Sequence, residues 1–160
     1  MKLVPIPILE AFQRSYTTDT SEMIPYAGGQ ESSDGVVYRF QGKKAGQLLK
    51  IMHLGSGDTR KVRLHFTARL NFLAFLSRES VPVIQPLPSI SGNLYECIEV
   101  QDGLWVAYAM RRIPGKTTSP KVWDPIFIQN WGRTIGQLHR ATQSYPDWRH
   151  CIDPETNEPY

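Results

Sequence analysis

Cysteine is scarce in this sequence: Cys97 and Cys151 are the two present. Neither belongs to a pairing motif, which excludes a disulfide framework and suggests free thiols in a reducing compartment. His150 beside Cys151 lacks the spacing of a metal site. Long apolar runs are also missing. No stretch approaches the roughly 20 residues of a membrane-spanning helix. The opening MKLVPIPILE contains two prolines and meets Glu10 early, so it makes a poor signal peptide. The expectation is a cytoplasmic protein without a membrane partner. Charge of one sign is weak, with 18 basic against 15 acidic residues and a net charge of +3. That excess does not argue for nucleic acid. Arg60, Lys61, Arg63 and Arg78 form a basic helix without interleaved exposed aromatics, most simply a solvated face. There is no internal repeat and no low-complexity segment.

What is present is enough apolar material for a core: 41% of residues are hydrophobic and 11% aromatic. The length suits one domain, or one domain and part of another. PIPILEAFQRSY (5–16) suggests a short helix. Residues 23–54 suggest a three-stranded antiparallel meander: MIPYAGG, a polar tip, VVYRFQ, a second tip GKKAG, then QLLKIMHL. Asp58 or Thr59 is placed to cap a helix over 60–78, with Val62, Phe66, Leu73 and Leu76 on one face and Leu70 beside them. VPVIQPLPS enters another strand through prolines. NLYECIEV and LWVAYAMRRI are strands joined by the turn QDG (101–103). IPGKTTSP (113–120) breaks the pattern. A last helix covers about 123–143, with Phe127, Ile128, Trp131, Ile135 and Leu138 on one side. The fold class expected is α+β: an antiparallel sheet of about five strands with one packed helix, then a hinge and a linker helix.

Four segments together resemble the aminoglycoside phosphotransferase family, which has the protein-kinase-like fold. YAGGQESSDGVVYRF resembles its loop over the ATP phosphates. QLLKIMH resembles its third strand with the phosphate-binding lysine, Lys50. SVPVIQPLPSISGNLYECI resembles its "pV-x-x-P" entry and the strand after it. AMRRIPGK resembles the hinge, and GRTIGQLHRATQSY the "G-x-x-(I/L)-G-x-L-H" helix that follows. The resemblance spans roughly residues 20–145. It implies an N-terminal lobe over 1–112, a hinge and linker helix over 113–145, and a polar tail (146–160) leading to a C-terminal lobe outside the sequence.

The resemblance also implies ATP with Mg2+ as cofactor. Gly28 and Gly29 would allow close backbone approach to phosphates, and Ser32 and Ser33 could donate to them; the plain alternative is a β-turn of small residues. Lys50 shares a strand face with Leu48 and Met52, where a lone Lys is costly without a partner. Met110 matches the gatekeeper position, and main-chain groups from Arg111 to Ile113 would meet the adenine edge. The family pairs the lysine with an inward Glu on the next helix. Here the matching residue is Arg69, and no acid occurs from Thr59 to Arg78. Periodicity puts Arg69 inside the apolar stripe, pointing inward. The simpler reading is that it snorkels to solvent; the sharper one is that it contacts phosphate.

The family's catalytic H-x-D-x-x-x-x-N loop is absent. His53, His65, His139 and His150 are followed two residues on by Gly55, Thr67, Ala141 and Ile152. The D-x-D metal segment is absent too, so no catalytic residue or metal ligand is assigned. Three readings follow: the N-terminal part of an ATP-dependent small-molecule phosphotransferase, inactive alone; a non-catalytic kinase-like binding module; or an unrelated α+β interaction domain. The first predicts an uncovered apolar patch of Phe127, Ile128, Trp131, Ile135 and Leu138, hence a homodimer or swapped oligomer.

Overall fold

Buried and half-buried residues alternate along VVYRF, the period of two that a strand with one core face requires. This is β2 (Val36–Phe40). It pairs with β1 (Met23–Pro25) on one side and β3 (Gln47–Leu54) on the other. All eight residues of β3 pair in turn with β6 (Gly103–Arg111). The far edge of β6 is shared by β4 (Pro86–Leu87) and β5 (Glu96–Val100). Every pairing is antiparallel, and the order is β1-β2-β3-β6 followed by β4 and β5. In this computed structural model the described residues are 4–18, 23–26, 35–41, 46–113, 124–153 and 156–157.

The described sheet has six strands where the sequence suggests about five. The strand that VPVIQPLPS enters is β4, only two residues long. Pro82, Pro86 and Pro88 remove main-chain donors around it, so a longer ladder cannot form.

Both faces of the sheet are covered by helices. α2 (Thr59–Arg78) begins at Asp58, whose carboxylate accepts from the N–H groups of Arg60 and Lys61 at 2.9 and 3.2 Å. Its Phe66 and Leu70 pack on Leu104, Val106 and Tyr108 of β6. The expectation of one packed helix is corrected by α1 (Ile6–Tyr16) on the opposite face. Phe12 and Tyr16, four residues apart, join Phe40, Leu49, Ile51, Trp105 and Ala107. The Tyr16 hydroxyl donates to the Ala107 carbonyl oxygen at 2.9 Å. Burial, with Glu96 adding to it, pushes that hydroxyl's pKa well above the usual tyrosine range. Sandwiched between two helices, β6 is buried continuously from Gly103 to Ala109.

α3 (Pro125–Gln143) starts at Asp124, which accepts from Phe127 N–H at 2.7 Å. Among the described residues, the packing recorded for it is at its C-terminal end. Ala141 and Tyr145 pack with Phe75 and Leu76 of α2 and with Val81, and Leu138 packs against that group. Elsewhere α3 stands open: Ile126, Ile128 and Trp131 are 68%, 45% and 55% exposed. Phe127 and Ile135 are half-buried.

Candidate functional site

Alternation along the central strands leaves one region of the sheet without a helix over it. Leu49 and Ile51 face α1. Leu48, Lys50 and Met52 therefore face the α2 side. In the ladder Lys50 sits between Val37 and Tyr108, and Leu48 between Arg39 and Met110. Phe66 of α2 covers Tyr108, their ring centroids 6.1 Å apart. Met110, beyond Tyr108 on the same face, packs against the edge of the cluster that Phe66 and Leu70 form with β6. Ile24, Val37, Arg39, Leu48, Lys50 and Met110 all remain half-buried on this face. The sequence singles out Lys50 and Met110 but not Val37, Leu48 or Arg39. Those three become visible only once the register between β2, β3 and β6 is known.

The β1–β2 hairpin rises directly beside Lys50. Tyr26 N–H donates to Val37 C=O at 2.8 Å. Gly35, at φ 146°, lies so close to β3 that a Cβ would meet the Ile51 carbonyl oxygen and come within 2.7 Å of Met52 Cγ. Only glycine fits there. The stretch between these anchors holds Gly28, Gly29, Ser32 and Ser33, which lie outside the described residues.

At the end of β6 the main chain runs on through Arg111, Arg112 and Ile113. Arg111 N–H donates to Gln85 C=O at 2.9 Å, and Arg112 N–H to Gly46 C=O at 2.8 Å. Among the described residues nothing accepts from Ile113 N–H, and the Ile113 side chain is 58% exposed. Arg111 and Arg112 thus donate to opposite sides, one toward the segment before β4 and one toward the start of β3. The Arg112 guanidinium lies over the Tyr26 ring at 5.8 Å, linking the hinge to the start of the hairpin loop.

Arg69 does not point inward. It is exposed, and the sheet-facing residues of α2 are Phe66 and Leu70. The stripe read from sequence merges two faces of one helix. Phe66 and Leu70 serve the sheet, whereas Leu76 belongs to the cluster with Tyr145. Among the described residues no carboxylate forms an ion pair with Lys50 or Arg69. Nor do three His, Cys, Asp or Glu side chains converge there on a metal-sized site. No described helix is long and apolar enough to cross a membrane.

A second concavity, of about 490 Å3, lies between α2 and the segment leading into β5, lined by Arg63, Thr67, Asn71, Tyr95, Glu96 and Cys97 among others. Its polar groups largely satisfy one another. Arg63 Nη2 donates to Glu99 at 3.0 Å, and the Tyr95 hydroxyl lies 3.0 Å from both Thr67 Oγ1 and the Arg63 carbonyl. Burial raises the Cys97 thiol's pKa, which leaves it a poor nucleophile.

No family model matches the chain. Amicoumacin kinase of Bacillus subtilis (strain 168) is 24% identical over 114 residues, covering 71% of this chain and 33% of that protein. Among solved structures, amicoumacin kinase hAmiN in complex with AMP-PNP, Ca2+ and Ami superposes on 92% of the chain with a TM-score of 0.73 at 20% identity. The microcompartment-associated aminopropanol kinase superposes on 98% with a TM-score of 0.64 at 15% identity. The chain spans 43% and 44% of those two structures, and about a third of the curated relative. The six-stranded antiparallel sheet of the described residues, with α2 across it and α3 after it, is therefore the fold of those two kinase structures over somewhat less than half of their length.

Proposed function

We propose that this chain contributes the nucleotide-binding lobe of an ATP-dependent phosphotransferase that acts on a hydroxyl. The observation that carries the reading is the uncovered face itself. Val37, Leu48 and Met110 offer an apolar bed for a base, the free Ile113 N–H and the Arg111 C=O offer polar groups to its edge, and Lys50 stands at the other end. Lys50 lies opposite Tyr108, five residues before Ile113, which is about 16 Å of strand. That span suits an elongated ligand with a planar end and an anionic end. In this reading Lys50 pairs with phosphate oxygens, and Gly28, Gly29, Ser32 and Ser33 close over them. The base that orients the acceptor hydroxyl and the ligands of Mg2+ come from residues beyond this lobe. Bound Mg2+ would neutralise charge on the transferring phosphate. The chain alone then binds nucleotide, in the cytoplasm where ATP is plentiful, and does not transfer phosphate.

The same reading gives the open face of α3 a partner. Ile128 and Trp131, about 60° apart around the helix, would lie against the lobe that carries the catalytic loop, and in the isolated chain against a second copy. Sedimentation at high concentration should give a dimer or larger species that Trp131→Glu reduces to monomer; a wild-type monomer would remove this part of the proposal. A second reading, a non-catalytic binding module, is favoured by one observation: α2 has no acid to pair with Lys50. Calorimetric titration with ATP and Mg2+, with Lys50→Ala alongside, tests the first reading, and absence of binding favours the second. Binding that Lys50→Ala weakens supports the first, and binding indifferent to Lys50 removes the assigned site.

A further inference from the structure

α2 has two flanks on either side of the line through Phe66 and Leu70 that meets the sheet. One flank faces β5, marked by the Arg63–Glu99 ion pair at 3.0 Å and the Thr67–Tyr95 contact at 3.0 Å. Each helical residue turns by about 100°, so Arg69 lies about 200° from Thr67, on the opposite flank. In the sheet, β5 borders one edge of β6 and β3 the other. The flank that carries Arg69 is therefore the one over β3, on the side of the sheet where Lys50 emerges. Val62 and Leu73, the neighbours of Arg69 on this flank, pack into the same cluster as Met52 of β3.

Two cations thus border one open face. Arg39, beside Leu48 in the ladder, adds a third on the same side of the sheet. α2 has no acidic residue over its whole length, and among the described residues neither Lys50 nor Arg69 has an ion-pair partner. Like charges bordering a partly desolvated surface without a counter-charge repel one another, and a multivalent anion between them removes that cost. A guanidinium is suited to the task, because its fork matches two oxygens of one phosphate.

We propose that Arg69 and Lys50 form a two-cation clamp for the phosphate chain of the bound nucleotide, with Arg69 as a direct phosphate-binding residue. This rests on the nucleotide reading above and deepens it. Lys50 in this arrangement is positioned by the ligand and by its strand neighbours, not by a carboxylate on the helix.

The test is calorimetry on the full chain with three probes: ATP, adenosine and inorganic tripolyphosphate. The proteins are wild type, Arg69→Ala, Arg69→Lys and Arg69→Glu. Arg69 is exposed, so each variant should fold, which far-UV circular dichroism checks. The clamp predicts that Arg69→Ala weakens ATP roughly tenfold or more and leaves adenosine unchanged. Arg69→Lys should recover part of the loss. Arg69→Glu should weaken ATP further, because a carboxylate in place of the guanidinium repels the phosphates. ATP binding unchanged in Arg69→Ala overturns the clamp and leaves the nucleotide reading standing. Equal losses for ATP and adenosine also overturn it, since the effect would not lie at the phosphates. If wild type binds neither ATP nor adenosine, the nucleotide reading falls, and tripolyphosphate decides the clamp: binding lost in Arg69→Ala sustains an anion site, and no binding removes it.

Discussion

Replacing Lys50 by Met separates a binding role from a structural one. Lys50 is half-buried between Val37 and Tyr108, on a strand whose neighbours are apolar, and no described carboxylate pairs with it. Partly burying an unpaired ammonium opposes folding. Met keeps the length of the stem and its apolar contact while removing the charge. Relieving one such conflict typically stabilises a domain by about 0.5–2 kcal/mol. Near the melting temperature of a 160-residue chain, 1 kcal/mol corresponds to about 2–4 °C. Lys50→Met should therefore melt a degree or more above wild type. The same change removes a charge-assisted phosphate contact worth about 1.5–3 kcal/mol, a loss of roughly tenfold to a hundredfold in ATP affinity. Thermal unfolding by circular dichroism and ATP calorimetry read the two effects on one sample. A variant that melts several degrees lower would make Lys50 a structural residue. A more stable variant with undiminished ATP binding would leave the half-buried charge without a purpose.

Phe12 is fully buried between α1 and the sheet, so Phe12→Ala should destabilise by about 3–5 kcal/mol in urea unfolding; a loss under 1 kcal/mol would mean α1 is not part of the cooperative fold. Gly103 has φ 140°, and a Cβ there would overlap the Leu54 carbonyl oxygen, with Gly55 C at 2.9 Å. Since the obstruction is backbone, Gly103→Ala should cost at least about 1–3 kcal/mol. Equal stability in chemical denaturation would refute the strain. Desolvation, and then Arg69, lower the His65 pKa in the folded chain below its unfolded value. Above about pH 6.5 both states are neutral and the group has no effect; as pH falls below that, the unfolded state gains protons first and stability declines. His65→Gln should flatten that acid limb, and Arg69→Ala should shrink it, in melting curves taken between pH 7 and 5.

Local chemistry made most elements legible. The helix read over 60–78 runs Thr59–Arg78 because Asp58 caps it, and the turn QDG joins β5 to β6 as its residues suggest. Period-two alternation was enough to put Lys50 on a face with Leu48 and Met52. What sequence could not give was partnership. The amphipathic segment that became α1 has an obvious apolar face, but nothing local says that it covers the back of the sheet through Phe12 and the Tyr16–Ala107 hydrogen bond. The inward direction that the stripe gives Arg69 fails for the same reason, while its exposure agrees with the simpler reading of a side chain reaching solvent. α2 meets two different clusters, and a helical stripe drawn from periodicity alone cannot tell the sheet face, Phe66 and Leu70, from the face that meets Tyr145. The bed formed by Val37, Leu48 and Met110 depends on strand register, which no single strand encodes.

The most direct measurement is an NMR titration of the 15N-labelled chain with AMP-PNP, following the backbone amides. Ile113 N–H, which has no acceptor among the described residues, should move most, together with amides around Val37, Leu48 and Lys50, while amides of α1 stay in place. Perturbations confined to the groove between Arg63 and Cys97, with Ile113 and Lys50 unmoved, would contradict the nucleotide reading.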